Sequence, residues 1–271
     1  PLPHAVYNRC YPEPGQVIRR LGQRLGHKSV FKSITLFDKW NVYEQLYKTP
    51  ALQQYLPNTT RLVSQDIPEL LAAGHKLVIK PRKGQSGRGL YLLAPSEGEF
   101  VSITSNMNIP LPLPLGEGLG ALVDVLSGSE PYLAQSFVES ASFDGGRFDV
   151  RFVVQKDKVG SWTITGELSR AAEPETFITN QYRALYHPRK TLQTLGKRGK
   201  AAYQEMKRIS VQAAEQLDGK VGHLGEIRVD FIVDPEGKPW IIEVNGKPDK
   251  GLFHELGDEV MLERIYLTPL T

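Results

Sequence analysis

The chain has 271 residues, of which 40% are hydrophobic and 23% charged, and its formal net charge is +3. This composition is typical of a globular protein with two or three subdomains, and the small net charge disfavours a nucleic-acid partner. No run approaches the ~20 apolar residues of a membrane span, so we expect none. The single cysteine, Cys10, excludes an internal disulfide and favours a reducing compartment such as the cytoplasm.

The first half of the chain alternates between short strands and helices. A helix is predicted from Asp38, which can cap it, to about Tyr47, where Pro50 stops it. The other predicted helices lie at residues 17–25, 68–73 and 119–126, and the strands at residues 28–36, 59–64, 76–80, 90–93 and 132–138. Residues 94–115 have no clear period, and Pro110, Pro112 and Pro114 prevent a regular helix, so we expect a surface excursion there.

The second half contains two predicted hairpins separated by a long helix. The strands are predicted at residues 148–154, 162–168, 227–233 and 240–244, and the helix at residues 199–217. Residues 171–190 are predicted to be irregular. Antiparallel hairpins interspersed with helices indicate an α+β fold.

The second hairpin, IRVDFIVDPEGKPWIIEVNGKP at residues 227–248, places acidic side chains on one face. If its loop closes symmetrically, Asp230 lies opposite Glu243 at about 5 Å, and Asn245 adds an amide oxygen. Two carboxylates at this spacing are destabilising unless a positive charge lies between them. Such oxygen ligands suit Mg²⁺. The alternative is a half-exposed hairpin whose acids face water.

A basic, glycine-rich loop, KPRKGQSGRG at residues 80–89, connects two predicted strands. Its glycines let the backbone approach a ligand closely, and Lys80, Lys83 and Arg88 surround it with positive charge, which favours phosphate. The spacing is neither that of the Walker loop nor that of the dinucleotide fingerprint. A plain hairpin turn is the alternative. Together with the acidic hairpin, however, the loop would hold a nucleoside triphosphate and Mg²⁺.

Five motifs in a fixed order make the chain resemble ATP-grasp proteins, most closely the YheC/YheD-like group described as endospore coat-associated. They are FDKW (37–40), VIKPRKGQSGRGLYLL (78–93), AQSFVE (134–139), RFDVRFVVQ (147–155) and the pair EIRVDF (226–231) and PWIIEVNGKP (239–248). The resemblance covers roughly residues 37–248 and implies two α+β subdomains that clamp ATP.

The resemblance also implies a domain division. Residues 37–134 would form the small or lid subdomain, and residues 135–271 the core subdomain with the metal site. Residues 1–36 would be the remnant of an N-terminal domain that is largely absent. The chain begins with Pro1, so we expect it to be processed, trimmed or to lack an upstream part.

The roles of individual residues follow from the same resemblance. Lys39 and Lys80 would contact the phosphates of ATP, and the glycine-rich loop would close over them. Arg151 and Lys80 would act in catalysis, with Arg151 stabilising charge on the transferred phosphoryl group. The residues implied around the nucleotide are Lys39, Lys80, Gly84, Gln85, Ser86, Gly87, Gly89, Gln135, Phe137, Val138, Glu139 and Asn180, with Arg170 near the acceptor.

The implied Mg²⁺ ligands are Asp230, Glu243 and Asn245. Two simpler interpretations of the basic residues remain open. Arg151 could pair with Asp149 on its own strand face, and Lys39 could be a solvated helix residue.

The implied activity is that of an ATP-dependent carboxylate–amine ligase that acts through an acyl phosphate, with an amino acid or peptide as substrate. Relatives often carry a Gly-Gly pair after the asparagine, whereas here Asn180 is followed by Gln181 and Tyr182. This departure favours an alternative, a nucleotide-binding protein of the spore coat with a structural or assembly role and no ligase turnover. A third hypothesis is phosphoryl transfer to an acceptor that is not a carboxylate.

Overall fold

The structure, a computed structural model, describes residues 3–8, 10, 15–26, 29–31, 36–62, 67–84, 87–96, 100–105, 109–114 and 116–270. The strands are β1 (Val6–Tyr7), β2 (Val30–Phe31), β3 (Thr59–Arg61), β4 (Leu77–Pro81), β5 (Tyr91–Pro95), β6 (Phe100–Ser105), β7 (Pro110–Pro114), β8 (Tyr132–Ser136), β9 (Ser142–Phe143), β10 (Gly146–Lys156), β11 (Trp162–Ala172), β12 (Tyr182–Tyr186), β13 (Glu226–Val233) and β14 (Pro239–Asn245). The helices are α1 (Gly15–Leu25), α2 (Lys39–Tyr47), α3 (Pro50–Gln53), α4 (Ile67–Ala72), α5 (Glu117–Ser129), α6 (Pro188–Leu192), α7 (Lys197–Leu217), α8 (Gly251–Leu256) and α9 (Glu259–Leu267).

The first large sheet has six antiparallel strands in the order β3-β8-β4-β5-β6-β7. Helices α4 and α5 cover it, and Leu71 and Val123 from these helices belong to the same buried cluster as Ile79 and Leu93 from the sheet. Because β4 and β5 are adjacent in this sheet, the glycine-rich loop between them is held at both ends by paired strands.

The second large sheet has the order β12-β11-β10-β13-β14, with β9 beside β10. One face packs against α7, where Phe152 and Phe231 join Met206 and Ile209 in the largest buried cluster. The opposite face carries α8 and α9 at one end, where Val153 is part of a smaller cluster. The rest of that opposite face carries the charged side chains of the site.

The structure confirms the hairpin at residues 227–244 and the pairing of its two acids. Val229 lies opposite Val244 and Asp230 opposite Glu243, but the loop does not set this pairing: Val233 lies opposite Pro239, and a register shift between Asp230 and Phe231 separates the two stretches. It also confirms the predicted α+β character, the long helix and the cap of α2, where the side chain of Asp38 accepts hydrogen bonds from two backbone N–H groups.

Two predictions of irregular structure are wrong. Residues 94–115 contain β6 and β7 instead of a surface excursion. The prolines of β7 are tolerated because β7 is the edge strand of its sheet. Residues 171–190 contain the end of β11, strand β12 and helix α6. The pattern missed β12 because it is also an edge strand and its side chains are at most half-buried.

Three smaller features complete the comparison with the predicted elements. Pro50 opens the short helix α3, since proline is favoured in the first turn of a helix. The predicted strand at 28–36 is described only at β2, and residues 32–35 lie outside the described residues. The division at residues 134 and 135 stays a prediction; this point falls within β8.

Among the described residues, no helix has the length and apolarity needed to cross a membrane.

Two helical glycines give a matched test of the packing of α7. A Cβ atom on Gly199 would lie 2.0 Å from the backbone oxygen of Leu192 at the end of α6, whereas one on Gly120 in α5 meets nothing within 4 Å. We expect Gly199→Ala to lower the free energy of unfolding by about 1–3 kcal/mol through overpacking. Gly120→Ala should raise it by about 0.5–1 kcal/mol, since alanine favours helices. Urea unfolding measures both; equal stabilisation would contradict the packing.

Candidate functional site

A cleft of about 900 Å³, including its open mouth, lies between the two large sheets. Residues of both sheets line it, together with the first residue of α2 and the loop after β4. The predicted site residues that line it are Lys39, Lys80, Gly84, Gly87, Gln135, Phe137, Val138, Asn180, Asp230 and Glu243, and Arg170 lies among them. The fold therefore brings together residues that are up to about two hundred positions apart in the chain.

The other predicted residues lie elsewhere. Glu139 borders a neighbouring cleft and pairs with Lys76 at 2.8 Å. Gly89 has a φ of +68°, and a Cβ atom there would lie 2.7 Å from the hydroxyl of Tyr132. Arg151 and Asn245 are not among the lining residues in the part of the chain that the structure describes. Gln85 and Ser86 lie outside the described residues.

Arginines separate and neutralise the two carboxylates of the acidic hairpin. Nη2 of Arg228 lies 3.1 Å from Asp230 and 3.2 Å from Glu243. From the next strand, Arg151 donates to both oxygens of Asp230 at 2.9 and 3.1 Å. The alternative in which the acids of the hairpin face water is therefore wrong for Asp230, which is almost completely buried.

These cations keep both acids ionised. Burial raises the pKa of Asp230, but the guanidinium groups of three neighbouring arginines outweigh it and lower the pKa to about 2. Burial also opposes ionisation of Glu243, yet Lys39 and Arg228 hold its pKa below the usual range. The hairpin thus presents a pair of charged carboxylates at neutral pH. Arg228 was not singled out from the sequence, although the predicted need for a positive charge between the acids pointed to such a residue.

Lys80 crosses from the first sheet to the second. Its Nζ donates to Oε1 of Gln135 at 2.8 Å and to the backbone oxygen of Ile242 at 3.1 Å. The NH₂ group of Gln135 donates to Thr59 at 2.9 Å, so its oxygen must face the lysine. Burial lowers the pKa of Lys80 to about 8. The ammonium group of Lys80 is therefore already desolvated before an anion binds.

Lys39 links α2, the loop after β4 and the acidic hairpin. Its Nζ donates to the backbone oxygen of Gly84 at 3.0 Å and lies 3.6 Å from Glu243. Arg82 binds Asp38, the cap of α2, through two hydrogen bonds of 3.1 and 2.6 Å. The prediction that Lys39 could be a solvated helix residue is therefore wrong.

The wall formed by β11 and the following loop has its own charge pair. Arg170 binds Asp149 and also donates to Oδ1 of Asn180 at 3.0 Å. Since Asp149 is paired with Arg170, and Arg151 is paired with Asp230, the alternative that joined Arg151 to Asp149 is wrong. A Cβ atom on Gly87 would lie 2.6 Å from Nδ2 of Asn180, so this wall touches the glycine-rich loop.

The segment after β8 forms the opposite end of the cleft. Arg147 stacks at 4.4 Å over the ring of Phe137 and donates to the backbone oxygen of Val138 at 2.6 Å. The backbone N–H of Phe137 donates to the backbone oxygen of Lys76 at 2.9 Å. Ile232 and Ile242 add apolar surface to the same cleft. A flat apolar ligand with a polar edge would fit such an end.

The donor set of the hairpin fits Mg²⁺. Asp230 and Glu243 supply carboxylate oxygens, and Nδ2 of Asn245 is buried without a hydrogen-bond partner among the described residues. The side-chain amide of Asn245 also carries an oxygen, and a half-turn of the amide group would present this oxygen to a cation. The described residues contain no group of three or more His, Cys, Asp or Glu side chains that could hold a metal.

Solved structures share this architecture. N5-carboxyaminoimidazole synthetase from Staphylococcus aureus, complexed with ADP, superposes with a TM-score of 0.51 and 13% identity, over 85% of this chain and 49% of that chain. The C-terminal domain of K. lactis Pby1, an ATP-grasp enzyme interacting with the mRNA decapping enzyme Dcp2, superposes with a TM-score of 0.50 and 12% identity, over 85% and 69%. At these identities the likeness shows the fold alone, which is the ATP-grasp fold.

The chain belongs to the YheC/D-like ATP-grasp family, whose sequence pattern matches residues 27–271. It is 28% identical over 269 residues to endospore coat-associated protein YheD of Bacillus subtilis (strain 168), covering 93% of this chain and 58% of YheD. It is 22% identical over 290 residues to YheC of the same organism, covering 99% and 77%. The fold and family predicted from the sequence are therefore confirmed.

A further relative is similar over a short segment. D-alanine–D-alanine ligase of Gloeobacter violaceus (strain ATCC 29082 / PCC 7421) is 49% identical over 41 residues, which are 15% of this chain and 14% of that protein.

The lowered pKa of Lys80 predicts how its contribution to stability depends on pH. Between about 8 and the ordinary value of 10.5, the unfolded chain binds more protons at this lysine than the folded chain does. The free energy of unfolding should therefore rise with pH in this window, relative to Lys80→Met, which has no titrating group. Urea unfolding of both proteins at several pH values tests this. A difference that stays constant or falls would contradict the lowered pKa.

Proposed function

We propose that the chain is an ATP-dependent carboxylate–amine ligase that binds Mg-ATP in the cleft between its two large sheets. The observation that carries this proposal is the charge of the cleft and the layer beneath it. Among the described residues, seven cations and three carboxylates lie in the cleft and this layer, which leaves a surplus of four positive charges at a site that can hold a polyanion. The cations are Lys39, Lys80, Arg88, Arg147, Arg151, Arg170 and Arg228, and the carboxylates are those of Asp149, Asp230 and Glu243.

The direction of the nucleotide follows from the two ends of the cleft. The end at Phe137 and Val138 is flat and partly apolar and suits adenine, with Gln135 beside it. The other end holds Lys39, Lys80 and the glycine-rich loop and suits the phosphates. The structure of the ADP-bound synthetase supports a nucleotide ligand for this fold.

The reaction would proceed in two displacements. An oxygen of the substrate carboxylate attacks the γ-phosphorus, and ADP leaves; an amine nitrogen then attacks the acyl carbon, and phosphate leaves. The protein contributes position and charge neutralisation, since neither step needs a covalent bond to a side chain. Lys39 and Lys80 would hold the phosphates. Bound at Asp230, Glu243 and Asn245, Mg²⁺ would supply Lewis-acid neutralisation of the phosphate charge.

Two arginines next to the cleft could stabilise the transferred group; neither is among the described residues that line it, and the greater exposure of Arg228 favours Arg228. The side chain of Arg151 is 3% exposed and donates two hydrogen bonds to Asp230. The side chain of Arg228 is 13% exposed and pairs with both Asp230 and Glu243. We expect Arg228→Met to retain ATP binding but to release ADP about 100-fold more slowly, as loss of a charge stabiliser in the transition state does. Binding and turnover are measured separately. Unchanged turnover would indicate that Arg151, and not Arg228, stabilises the transferred phosphoryl group.

The activity itself can be tested with ATP, Mg²⁺ and a panel of amino acids, peptides and carboxylic acids. ADP release that depends on one carboxylate–amine pair, with the amide found by mass spectrometry, would establish a ligase. A phosphorylated product without an amide bond would instead support phosphoryl transfer to another acceptor. ATP binding without ADP release across the panel would count against both.

That last outcome would support the second candidate, a nucleotide-binding protein of the spore coat without turnover. The observation that favours it lies on the acceptor side. Asn180 is followed by Gln181 and Tyr182 instead of the Gly-Gly pair that relatives often carry shortly after the asparagine, and the hydroxyl of Tyr182 binds Glu255 at 3.0 Å. YheD and YheC are named as endospore coat-associated proteins, and we propose such an association for this chain with them. The cytoplasmic location favoured by its free Cys10 is also a proposal.

The metal assignment predicts the effect of removing one carboxylate. Glu243→Gln should weaken the binding of ATP at least tenfold in the presence of Mg²⁺, because the metal would lose a charged ligand. Glu236→Gln is the matched control, since Glu236 is an exposed residue in the turn of the same hairpin and should leave affinity unchanged. Calorimetric titration with and without Mg²⁺ makes the measurement. Equal affinities for Glu243→Gln and the wild type would remove Glu243 from the metal site.

A further inference from the structure

A buried carboxylate holds the wall of the cleft that faces the glycine-rich loop. Asp149 on β10 is 0% exposed and is not among the residues that line the cleft. Nε of Arg170 donates to each of its oxygens at 3.1 Å, Nη2 of the same arginine donates to one of them, and Oγ1 of Thr179 donates at 2.6 Å. A carboxylate with this many donors fixes the orientation of its partners.

Arg170 transmits this orientation to Asn180. Its Nη1 donates to Oδ1 of Asn180 at 3.0 Å. Because a guanidinium group can only donate, the amide oxygen must face Arg170, and the NH₂ group must face the other way. That NH₂ group lies beside Gly87, where an added Cβ atom would come within 2.6 Å of Nδ2. Asn180 and Gly87 both line the cleft.

We propose that Asp149 is a positioning residue that acts through Arg170 to aim the NH₂ group of Asn180 at an anionic oxygen of the bound triphosphate. This inference rests on the proposed function, in which the cleft binds ATP. Asp149 itself touches no ligand, and its carboxylate is separate from the Asp230–Glu243 pair. If Asp149 had only a structural role, it would merely neutralise the buried charge of Arg170. Removing its carboxylate would then lower the affinity of the cleft for every ligand to the same degree.

The test uses Asp149→Asn, which keeps the shape of the side chain and removes its charge. We expect its affinity for ATP with Mg²⁺ to fall roughly tenfold, the effect of about one hydrogen bond. Adenosine, which has no phosphate, should bind as it does to the wild type. Loss of both ligands to the same degree, or of neither, would overturn the positioning role. A wild-type protein that does not bind ATP would instead overturn the proposed function, and the inference with it.

A second pair of variants keeps the test independent of folding at Asp149. Asn180→Asp keeps an acceptor for Arg170 but replaces the donating NH₂ group by oxygen, so ATP affinity should fall at least tenfold while adenosine binding is retained. If Asp149 acts through Asn180, Asp149→Asn combined with Asn180→Ala should bind ATP no more weakly than Asn180→Ala alone. Additive losses, or unchanged ATP affinity in Asn180→Asp, would overturn the proposal.

A matched control removes another carboxylate from the same sheet. Glu167 on β11 accepts a hydrogen bond from the hydroxyl of Tyr203 at 2.8 Å and does not line the cleft. Glu167→Gln should leave the affinities for ATP and adenosine at their wild-type values. A loss of ATP affinity equal to that of Asp149→Asn would show a general effect of charge removal and would overturn the positioning role.

Discussion

Repulsion between Asp230 and Glu243 is the constraint on which the rest of the cleft depends. The two residues lie directly opposite each other on β13 and β14, where like charges are destabilising. Two arginines offset this repulsion. Arg151 lies opposite Asp230 on β10, the neighbour of β13 on the side away from β14, and Arg228 lies on β13 itself. The same cations that make the acidic pair tolerable also leave the cleft with an excess of positive charge. One arrangement therefore stabilises the fold and attracts an anionic ligand.

The two lysines of the cleft connect the two sheets and also give the cleft positive charge. Lys80 bonds to Ile242 across the cleft, and Lys39 bonds to Gly84 beside the acidic hairpin. A phosphate that binds between them would take over hydrogen bonds that now join one part of the protein to another. Ligand binding and the relative position of the two sheets would therefore be coupled through these two side chains.

The two sides of the cleft bear differently on the proposed ligase reaction. The nucleotide side combines buried cations, a glycine-rich loop and an apolar end, all of which agree with membership of the YheC/D-like ATP-grasp family. The acceptor side carries Arg170 and Asn180, followed by Tyr182, which is tied to Glu255. Under the proposed function, nucleotide binding would depend on features that the fold supplies, whereas turnover would depend on how the residues after Asn180 admit a second substrate.

The sequence by itself determined the local elements and the motifs. Alternation of side chains set the hairpin of Asp230 and Glu243, whereas the loop length alone did not set their pairing, which also depends on a register shift between Asp230 and Phe231. It did not reveal β6, β7 or β12; of these, β7 and β12 are edge strands, which need little hydrophobic alternation. Only the tertiary structure decided the partners of the charges: Asp149 binds Arg170 across adjacent strands, and Arg151 binds Asp230. Pairing across strands depends on sheet order, which local patterns do not encode.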